Sequence, residues 1–246
     1  MATYVMSDLH GQFEAYQRML NLISFDEDED KLYLLGDYVD WGPDSIKLLL
    51  HLASKTSGNI KCLMGNHDLL MYNTIAIYND FYKADPEYEL KRSHDYKVWR
   101  INGGNITFEE YKKLSETDRK TIEHWLKNLD YVVSDLEVCG RKFYLSHAYP
   151  HLTGVSLHDV VWNRIENDRL TNRFMTKYPD TTLISGHTIT SWYSSFDDRG
   201  KCKIYHSKRI PYINIDCGAK VFGDVDYQYG RLACLRLDDM QEFYIE

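Results

Sequence analysis

The sequence has no pair of cysteines with the spacing of a zinc-binding C-x-x-C motif. Its five cysteines are odd in number and widely scattered, which argues against both a structural zinc knuckle and a disulfide framework. None is followed six residues later by arginine, so the sequence does not support a catalytic cysteine that attacks a bound phosphate. We therefore expect five reduced thiols.

Proline is also scarce, with five residues in 246, and the fourteen glycines leave no room for a long linker. A hydrophobic fraction of 43% with 27% charged residues is typical of a globular protein. Domains of roughly 200 to 250 residues are ordinary for layered α/β architectures. We predict a single domain over residues 1–246.

Long apolar runs are absent, and no stretch approaches the ~18 apolar residues that are needed to span a bilayer. No basic segment precedes the short apolar run near Met1, so we expect a cytoplasmic location and no membrane partner. Positive charge is in deficit, since 29 basic and 37 acidic residues give a net charge of −8. Bulk electrostatics therefore disfavour nucleic acid as a partner, and a phosphorylated ligand has to be bound locally.

One pattern occurs five times: a short apolar run, a small residue, and then a residue able to bind metal. The five copies are Tyr4–Asp8, Tyr33–Asp37, Cys62–Asn66, Tyr144–His147 and Leu183–His187. Short apolar runs closed by glycine or serine are typical of buried strands that end in a tight turn. If these strands end at one edge, their polar residues converge where open α/β sheets usually build sites.

The segments between the first three strands are predicted to be helices, because apolar residues recur with a helical period, as at Phe13, Tyr16 and Leu20. This gives the order β-α-β-α-β. We predict that the segment from about residue 68 to 130 forms a helical cap beside the site, in which one helix begins near Ser115.

The C-terminal third alternates as strands do, with runs at 203–206, 212–216, 231–237 and 242–245. A second sheet packed on the first then predicts the fold class. We expect an α/β protein built as a four-layer α-β-β-α sandwich with a helical cap insertion.

The polar residues that follow the first three predicted strands suggest metal binding only when they are taken together. Asp8 and His10 alone are weak evidence, since an aspartate at such a turn commonly caps a helix and the histidine can be an ordinary surface residue. However, Asp37 and Asp40 follow the second strand in the same way, and Asn66 follows the third. Three such loops in order are not expected by chance, and together they favour metal binding.

The complete set of motifs is Asp8-x-His10-Gly11, Gly36-Asp37-x-x-Asp40, Gly65-Asn66-His67-Asp68, Ser146-His147-Ala148 and Gly186-His187. In this order they resemble the metallophosphoesterase (calcineurin-like) superfamily. More narrowly, they resemble its phosphoprotein-phosphatase branch and the related bacterial diadenosine-tetraphosphate hydrolases. The segment Trp162-Asn163-Arg164 is similar to the Trp-x-Arg element of that branch, and residues 214–219 are similar to its late strand.

The resemblance implies a site for two divalent metal ions with Asp37 as the bridging ligand. It assigns Asp8, His10 and Asp37 to one ion, and Asp37, Asn66, His147 and His187 to the other. Oxygen and imidazole ligands without thiolate suit Mn²⁺, which we favour, and also Fe, Zn²⁺, Co²⁺ or Ni²⁺. Two such ions can hold hydroxide between them while both polarise one phosphoryl group.

The resemblance also implies roles in catalysis and in phosphate binding. His67 is predicted to donate a proton to the leaving oxygen, with Asp40 favouring its protonated form. The alternative is that His67 only caps a helix and Asp40 solvates a turn. Arg164 is the candidate phosphate clamp, because a guanidinium can bind two phosphoryl oxygens, and Asn66 is a further candidate phosphate contact. For Arg164 the alternative is an ordinary surface arginine.

Trp41 departs from the pattern, because the phosphoprotein-phosphatase branch usually has arginine after the second aspartate of Gly-Asp-x-x-Asp. Tryptophan cannot donate the paired hydrogen bonds of arginine, so one anchor for a phosphate is missing. Arg100, in the predicted cap, is a candidate replacement. Trp41 itself either stacks on a nucleobase or a substrate side chain, or it only packs.

The leading prediction is a metal-dependent phosphomonoesterase of the serine/threonine protein phosphatase type. The alternative is a hydrolase of diadenosine tetraphosphate or another nucleotide anhydride, which shares the metal chemistry. The expected partner is accordingly a phosphorylated protein, or a small phosphoester or nucleotide. A third hypothesis is a catalytically silent metal-binding scaffold, and the presence of both His67 and Asp40 argues against it.

Overall fold

The computed structural model describes residues 1–55, 58–81, 85–165, 168–222 and 226–246. The strands in these ranges are β1 (Thr3–Met6), β2 (Lys31–Leu34), β3 (Ile60–Cys62), β4 (Val132–Val138), β5 (Arg141–Ser146), β6 (Thr181–Ser185), β7 (Tyr205–His206), β8 (Tyr212–Asn214), β9 (Leu232–Arg236) and β10 (Gln241–Ile245). The helices are α1 (Phe13–Leu22), α2 (Ser45–Ala53), α3 (Asn66–Asp80), α4 (Pro86–Arg92), α5 (His94–Trp99), α6 (Asn105–Lys112), α7 (Glu116–Lys127), α8 (Leu157–Trp162) and α9 (Asp168–Lys177). A kinked helical turn at Arg100–Gly104 joins α5 to α6, and short 3-10 turns lie at Thr190–Tyr193 and Ala219–Val221.

The strands form two mixed sheets of five strands each, in the orders β10-β9-β1-β2-β3 and β4-β5-β6-β8-β7. In the first sheet β1, β2 and β3 run parallel, and in the second β5, β6 and β8 run parallel. Helices connect most of these parallel strands, which is the usual crossover arrangement.

Alternation along single strands divides the apolar side chains among the layers. In β1, Val5 belongs to the core between the two sheets, together with Leu145 of β5 and Ile184 of β6. Its neighbours Tyr4 and Met6 point to the opposite face and belong to the core that the first sheet shares with its helices.

The second sheet shows the same division. Tyr144 of β5 and Leu183 of β6 point away from the first sheet and pack with Phe174 of α9. The layers are therefore helices, sheet, sheet and helices, which confirms the predicted α-β-β-α sandwich.

The segment between β3 and β4 is helical, as predicted, and Ser115 accepts a hydrogen bond from the backbone N–H of Asp118 at the start of α7. The four strands expected in the C-terminal third are also present, but they divide between the sheets. Strands β7 and β8 extend the second sheet, whereas β9 and β10 return to the first. No helix in the described residues is long and apolar enough to cross a membrane.

Candidate metal centre

The loops that carry the predicted ligands meet where the two sheets present the carboxyl ends of their parallel strands. Asp8 and Asp37 follow β1 and β2, and Asn66 is the first residue of α3 after β3. His147 and His187 follow β5 and β6 of the second sheet. The structure thus brings together residues that are up to 179 positions apart, as in the contact between Asp8 and His187.

The backbone of these loops adopts conformations that side chains rarely tolerate. Among the described residues, eleven non-glycine residues have positive φ, and six of them lie at this edge: Asp8, His10, Asp37, Asp40, Trp41 and His187. Such strain persists only where surrounding contacts impose it, and it concentrates at functional sites. Here backbone hydrogen bonds between the loops impose it, for example from Asp8 N to Gly36 O (3.0 Å) and from His10 N to Asp37 O (2.9 Å).

Gly186 is required because the loop of His187 passes directly against the carboxylate of Asp8. A Cβ atom at position 186 would lie 1.9 Å from Asp8 Oδ2, so no residue with a side chain fits there. The close approach lets the backbone N–H of His187 donate to both oxygens of Asp8 at 3.1 Å. The glycine at position 186 therefore lets the two predicted ligands Asp8 and His187 fix each other's orientation.

Asn66 lies between two of the predicted histidine ligands. Its Oδ1 atom is 3.0 Å from His147 Nε2 and 2.9 Å from His187 Nδ1. On the other side of its ring, His147 Nδ1 is 3.0 Å from the carbonyl of Leu35. A carbonyl only accepts, so this Nδ1 carries the proton and Nε2 presents its lone pair to the oxygen of Asn66.

Asp37 adds carboxylate oxygens to this cluster and links it to His10. Asp37 Oδ2 is 3.5 Å from His147 Nε2 and 3.7 Å from His10 Nε2. His10 Nδ1 is 2.9 Å from the carbonyl of Val39, so His10 also turns an unprotonated Nε2 toward Asp37. Several lone pairs face one another without a proton between them, which favours a cation at this position.

Two groups of residues have ligand atoms that all lie within 4.8 Å of one another, one with His10, Asp37 and His67 and the other with Asp37, His147 and His187. Asp37 is shared, as expected for a bridging ligand. Asp8 belongs to neither group, and its two oxygens accept hydrogen bonds from the backbone N–H of His187. The ligand roles of all six predicted residues remain predictions.

Burial sets the protonation of these groups in the absence of a cation. It lowers the pKa of His10 and His147 well below the usual value and lowers the pKa of His187 to about 3. It raises the pKa of Asp8 and Asp37 well above the usual value, with neighbouring carboxylates adding to the effect. Neutral imidazoles are the form that binds metal, and buried carboxylates need cations nearby, so the residues fit a divalent metal site.

His67 and Asp40 form a direct pair, as the sequence motif suggests. His67 Nδ1 donates to Asp40 Oδ2 at 2.7 Å, which leaves Nε2 as the ring nitrogen that can face a substrate. Burial opposes the charged form of His67, but the carboxylates of Asp37 and Asp40 outweigh it and raise the pKa of this imidazole. The hydrogen bond to Asp40 and the raised pKa both favour the protonated form of His67, which is the form that a general acid needs.

The helical segment supplies two further donors to Asp40. Trp99 Nε1 donates to Asp40 Oδ2 and Thr107 Oγ1 donates to Asp40 Oδ1, both at 2.7 Å. These partners are 59 and 67 residues away from Asp40 in the sequence, and all three side chains are buried. Sequence reasoning missed them, because no local motif marks Trp99 or Thr107.

The candidate phosphate-binding residues differ in position. The charge of Arg164 lowers the pKa of His187 further after burial, so Arg164 lies near the centre, and its guanidinium carbon is 6.0 Å from the ring centroid of Trp192. Arg100 lies within the helical segment, where its Nε donates to Asn105 Oδ1 at 2.8 Å and its guanidinium carbon is 5.6 Å from the Tyr96 ring. The structure gives Arg100 no contact with the ligand residues.

Comparison with known families agrees with this geometry. The family model of the calcineurin-like phosphoesterases matches residues 1–191. The chain belongs to this family. Its members are phosphoester hydrolases by description, and the family normally uses divalent metals, which the donor set above fits.

Two curated relatives are symmetrical bis(5'-nucleosyl)-tetraphosphatases by name, and each comparison covers only part of the relative. The symmetrical bis(5'-nucleosyl)-tetraphosphatase of Buchnera aphidicola subsp. Acyrthosiphon pisum is 30% identical over 148 residues, which are 60% of this chain and 44% of the relative. The enzyme of the same name from Proteus mirabilis is 41% identical over 76 residues, which are 31% of this chain and 28% of the relative. The chain therefore spans less than half the length of these two relatives.

Among solved structures, a protein serine/threonine phosphatase from Saccharomyces cerevisiae covers 100% of this chain and 79% of its own, with a TM-score of 0.59 and 14% identity. At this level of identity the likeness shows the shared fold alone.

Proposed function

We propose that this phosphoesterase hydrolyses dinucleoside polyphosphates, with diadenosine tetraphosphate as the model substrate. The observation that carries the proposal is a pair of exposed indole rings, one next to Asp40 in the sequence and the other beside Arg164. Trp41 directly follows Asp40 and is 52% exposed, and Trp192 is 71% exposed and lies beside Arg164. Exposed aromatic faces are suited to stacking on nucleobases, and this substrate has two of them.

The names of the curated relatives support the same substrate class. They favour the nucleotide anhydride over the phosphomonoester, which the sequence motifs alone had placed first. Loss of the usual arginine at position 41 is consistent with this order, because the position then offers a stacking surface in place of a clamp for a terminal phosphate.

We infer a pair of divalent ions at the centre, with Mn²⁺ favoured and Fe, Zn²⁺, Co²⁺ or Ni²⁺ as alternatives. Asp8, His10, Asp37, Asn66, His147 and His187 are the residues that would hold them. When bound, such ions neutralise phosphoryl oxygens and activate water.

The chain itself supplies proton transfer and orientation. His67 is positioned to donate the proton on Nε2 to the oxygen that leaves, and Asp40 holds the ring through Nδ1. Trp99 and Thr107 hold Asp40 in turn. Arg164 is the cation available to phosphoryl oxygens on the side of His187.

A second candidate function is phosphoserine or phosphothreonine hydrolysis. The pair of His67 and Asp40 favours it as strongly as it favours the first candidate, since both reactions need a proton donor for the leaving oxygen. The two substrates differ only in what contacts the group beyond the hydrolysed bond.

The test is a comparison of substrates with protein supplied with Mn²⁺. Diadenosine tetraphosphate, a phosphothreonine peptide and p-nitrophenyl phosphate are assayed in parallel, and nucleotide products are separated by chromatography. We expect the highest kcat/KM for the dinucleotide, with ADP as the product of symmetric cleavage. A higher kcat/KM for the phosphopeptide would replace the first candidate with the second. The Asp37→Asn variant, purified in the same way, controls for contaminating phosphatases.

A further inference from the structure

A substrate with several phosphates carries charge beyond the group that is hydrolysed, and that charge needs a basic partner. Arg164 lies on the side of His187. Next to Asp40 the chain has Trp41, which brings no charge. A different side chain has to supply a cation there.

Lys220 lies at this position, although it is distant from Trp41 in the sequence. Its Nζ atom lies 5.9 Å from the centroid of the Trp41 ring. Such an arrangement places the ammonium over the aromatic face, at the outer limit of a cation-π contact. Among the described residues, its ammonium forms no ion pair with a carboxylate.

The backbone around Lys220 is fixed to the loops of the metal centre. The preceding residue, Ala219, accepts a hydrogen bond from Gln12 Nε2 at 3.3 Å, in the loop that follows His10. Gly218 N donates to Asp216 Oδ1 at 2.9 Å, and Asp216 is buried beside Asp8. The 3-10 turn that carries Lys220 is thus held by contacts on both sides.

Trp41 is also fixed by its surroundings. The backbone N–H of Gly42 donates to His10 O at 2.9 Å, and a Cβ atom at Gly103 would lie 3.0 Å from the indole. Gly103 therefore lets the helical segment approach the Trp41 ring closely, while about half of that side chain stays exposed. A planar group can contact the exposed part.

The charge of Lys220 is therefore held beside the loops of the metal centre. Its Nζ atom faces the Trp41 ring, and its turn is hydrogen-bonded to the loop that follows His10. A cation at this position can act on an anion bound at the centre.

We propose that Lys220 and Trp41 form one substrate-binding subsite, in which the ammonium binds a phosphate next to the hydrolysed one and the indole contacts the attached nucleoside. The nucleoside part rests on the proposed function. The role of Lys220 applies to any substrate or product that has a second phosphate. In this arrangement Lys220 supplies the charge that position 41 lacks.

The competing explanation is that Lys220 only offsets the buried carboxylates of Asp8 and Asp216. That role predicts lower metal content and a lower melting temperature when the charge is removed. It predicts no difference between ligands with one and with two phosphates.

The experiment measures binding of ADP and of inorganic phosphate to the Mn²⁺-loaded protein by isothermal titration calorimetry. Lys220→Met is expected to raise the Kd of ADP by roughly tenfold, as for one lost charge-assisted contact, while the Kd of phosphate changes by less than about twofold. Lys220→Arg should restore ADP binding to within about threefold of wild type, because it keeps the charge. Lys120→Met removes the same charge from an exposed position on α7 and should leave both values unchanged.

Trp41→Ala in the same assay tests the second half of the subsite, with an expected loss of ADP binding of about fivefold and no loss of phosphate binding. Unchanged ADP binding in Lys220→Met would overturn the proposal. So would an equal loss for ADP and phosphate with reduced metal content, which would assign Lys220 to charge compensation. If ADP binding responds as expected but the dinucleotide is not hydrolysed, the subsite stands and the proposed substrate is wrong.

Discussion

The metal centre and the rim around it, which consists of Trp41 and Trp192, are built in different ways. At the centre the side chains are buried, apart from the half-buried His187, and several are fixed by a second contact, as His147 is by the carbonyl of Leu35. At the rim, Trp41 and Trp192 are 52% and 71% exposed, and their closest charged partners lie about 6 Å from the rings. The side chains of the centre are held by hydrogen bonds between and within their loops, whereas those of the rim are exposed. We therefore expect the chemistry to be sensitive to small changes and the choice of substrate to be adjustable.

The largest expected effects come from the centre. Asp37→Asn removes the shared carboxylate, and His187→Ala removes an imidazole whose Nδ1 is 2.9 Å from Asn66 Oδ1. We expect both variants to lose metal-dependent hydrolysis of every substrate, because both groups are proposed ligands of the divalent ions. Turnover and metal content measured on the same samples check this. Full turnover with unchanged metal content in either variant would remove the residue from the metal site.

The proton donor should show a large but incomplete effect. His67→Asn is expected to keep the metals and to lower kcat by roughly 10²- to 10⁴-fold, the usual range for a lost general acid. The loss should be smaller for p-nitrophenyl phosphate, whose leaving group needs no proton, than for an alkyl phosphate. Equal losses for both substrates would indicate that His67 positions the substrate and does not donate a proton.

The sequence predicted that these residues converge, because the signals for that are local. Asp8, Asp37 and Asn66 each follow a short apolar run, and a buried parallel strand has to place the next residues at its carboxyl end. The alternation of Tyr4, Val5 and Met6 between two cores follows from the same periodicity. Such features depend on only a few neighbouring residues.

What the sequence did not predict depends on contacts between distant segments. The return of β9 to pair with β1 is one case, since alternation marks a strand but does not choose its neighbour. The donors Trp99 and Thr107 and the cation Lys220 are others, because each reaches the site from a segment with no motif of its own. The contact of Arg100 with Asn105 has the same origin, since the kinked turn at Arg100–Gly104 brings the two side chains together. The role of Arg100 in phosphate binding stays a prediction.

The contact between the helical segment and Asp40 allows an intermediate test. Thr107→Val removes the hydroxyl that donates to Asp40 Oδ1 and keeps the shape of the side chain. We expect kcat to fall by roughly tenfold, the effect of one lost hydrogen bond to a charged group, with little change in KM or metal content. Thr107→Ser keeps the hydroxyl and is the matched control, with kcat near wild type. If Thr107→Ser loses as much as Thr107→Val, packing and not the hydrogen bond is responsible.

The smallest expected effect, and the one that bears most directly on substrate choice, is that of Trp41→Arg. This variant places at the rim the residue that the phosphoprotein-phosphatase branch usually has there. An arginine can bind two phosphoryl oxygens, so KM for a phosphomonoester should fall, while the loss of the stacking surface should cost about 1 kcal/mol for a nucleotide. We therefore expect kcat/KM to rise for a phosphothreonine peptide and to fall about fivefold for diadenosine tetraphosphate.

The ratio of the two kcat/KM values decides between the roles of this residue, because metal loading and protein stability affect both substrates alike. Trp41→Phe keeps an aromatic face without adding charge, so it should leave the ratio close to that of wild type. If Trp41→Arg moves neither value by more than about twofold, the indole only packs against Gly103 and contributes to neither substrate. A rise for both substrates would mean that charge alone limits binding at this side of the site, with Lys220 as the residue that already supplies part of it.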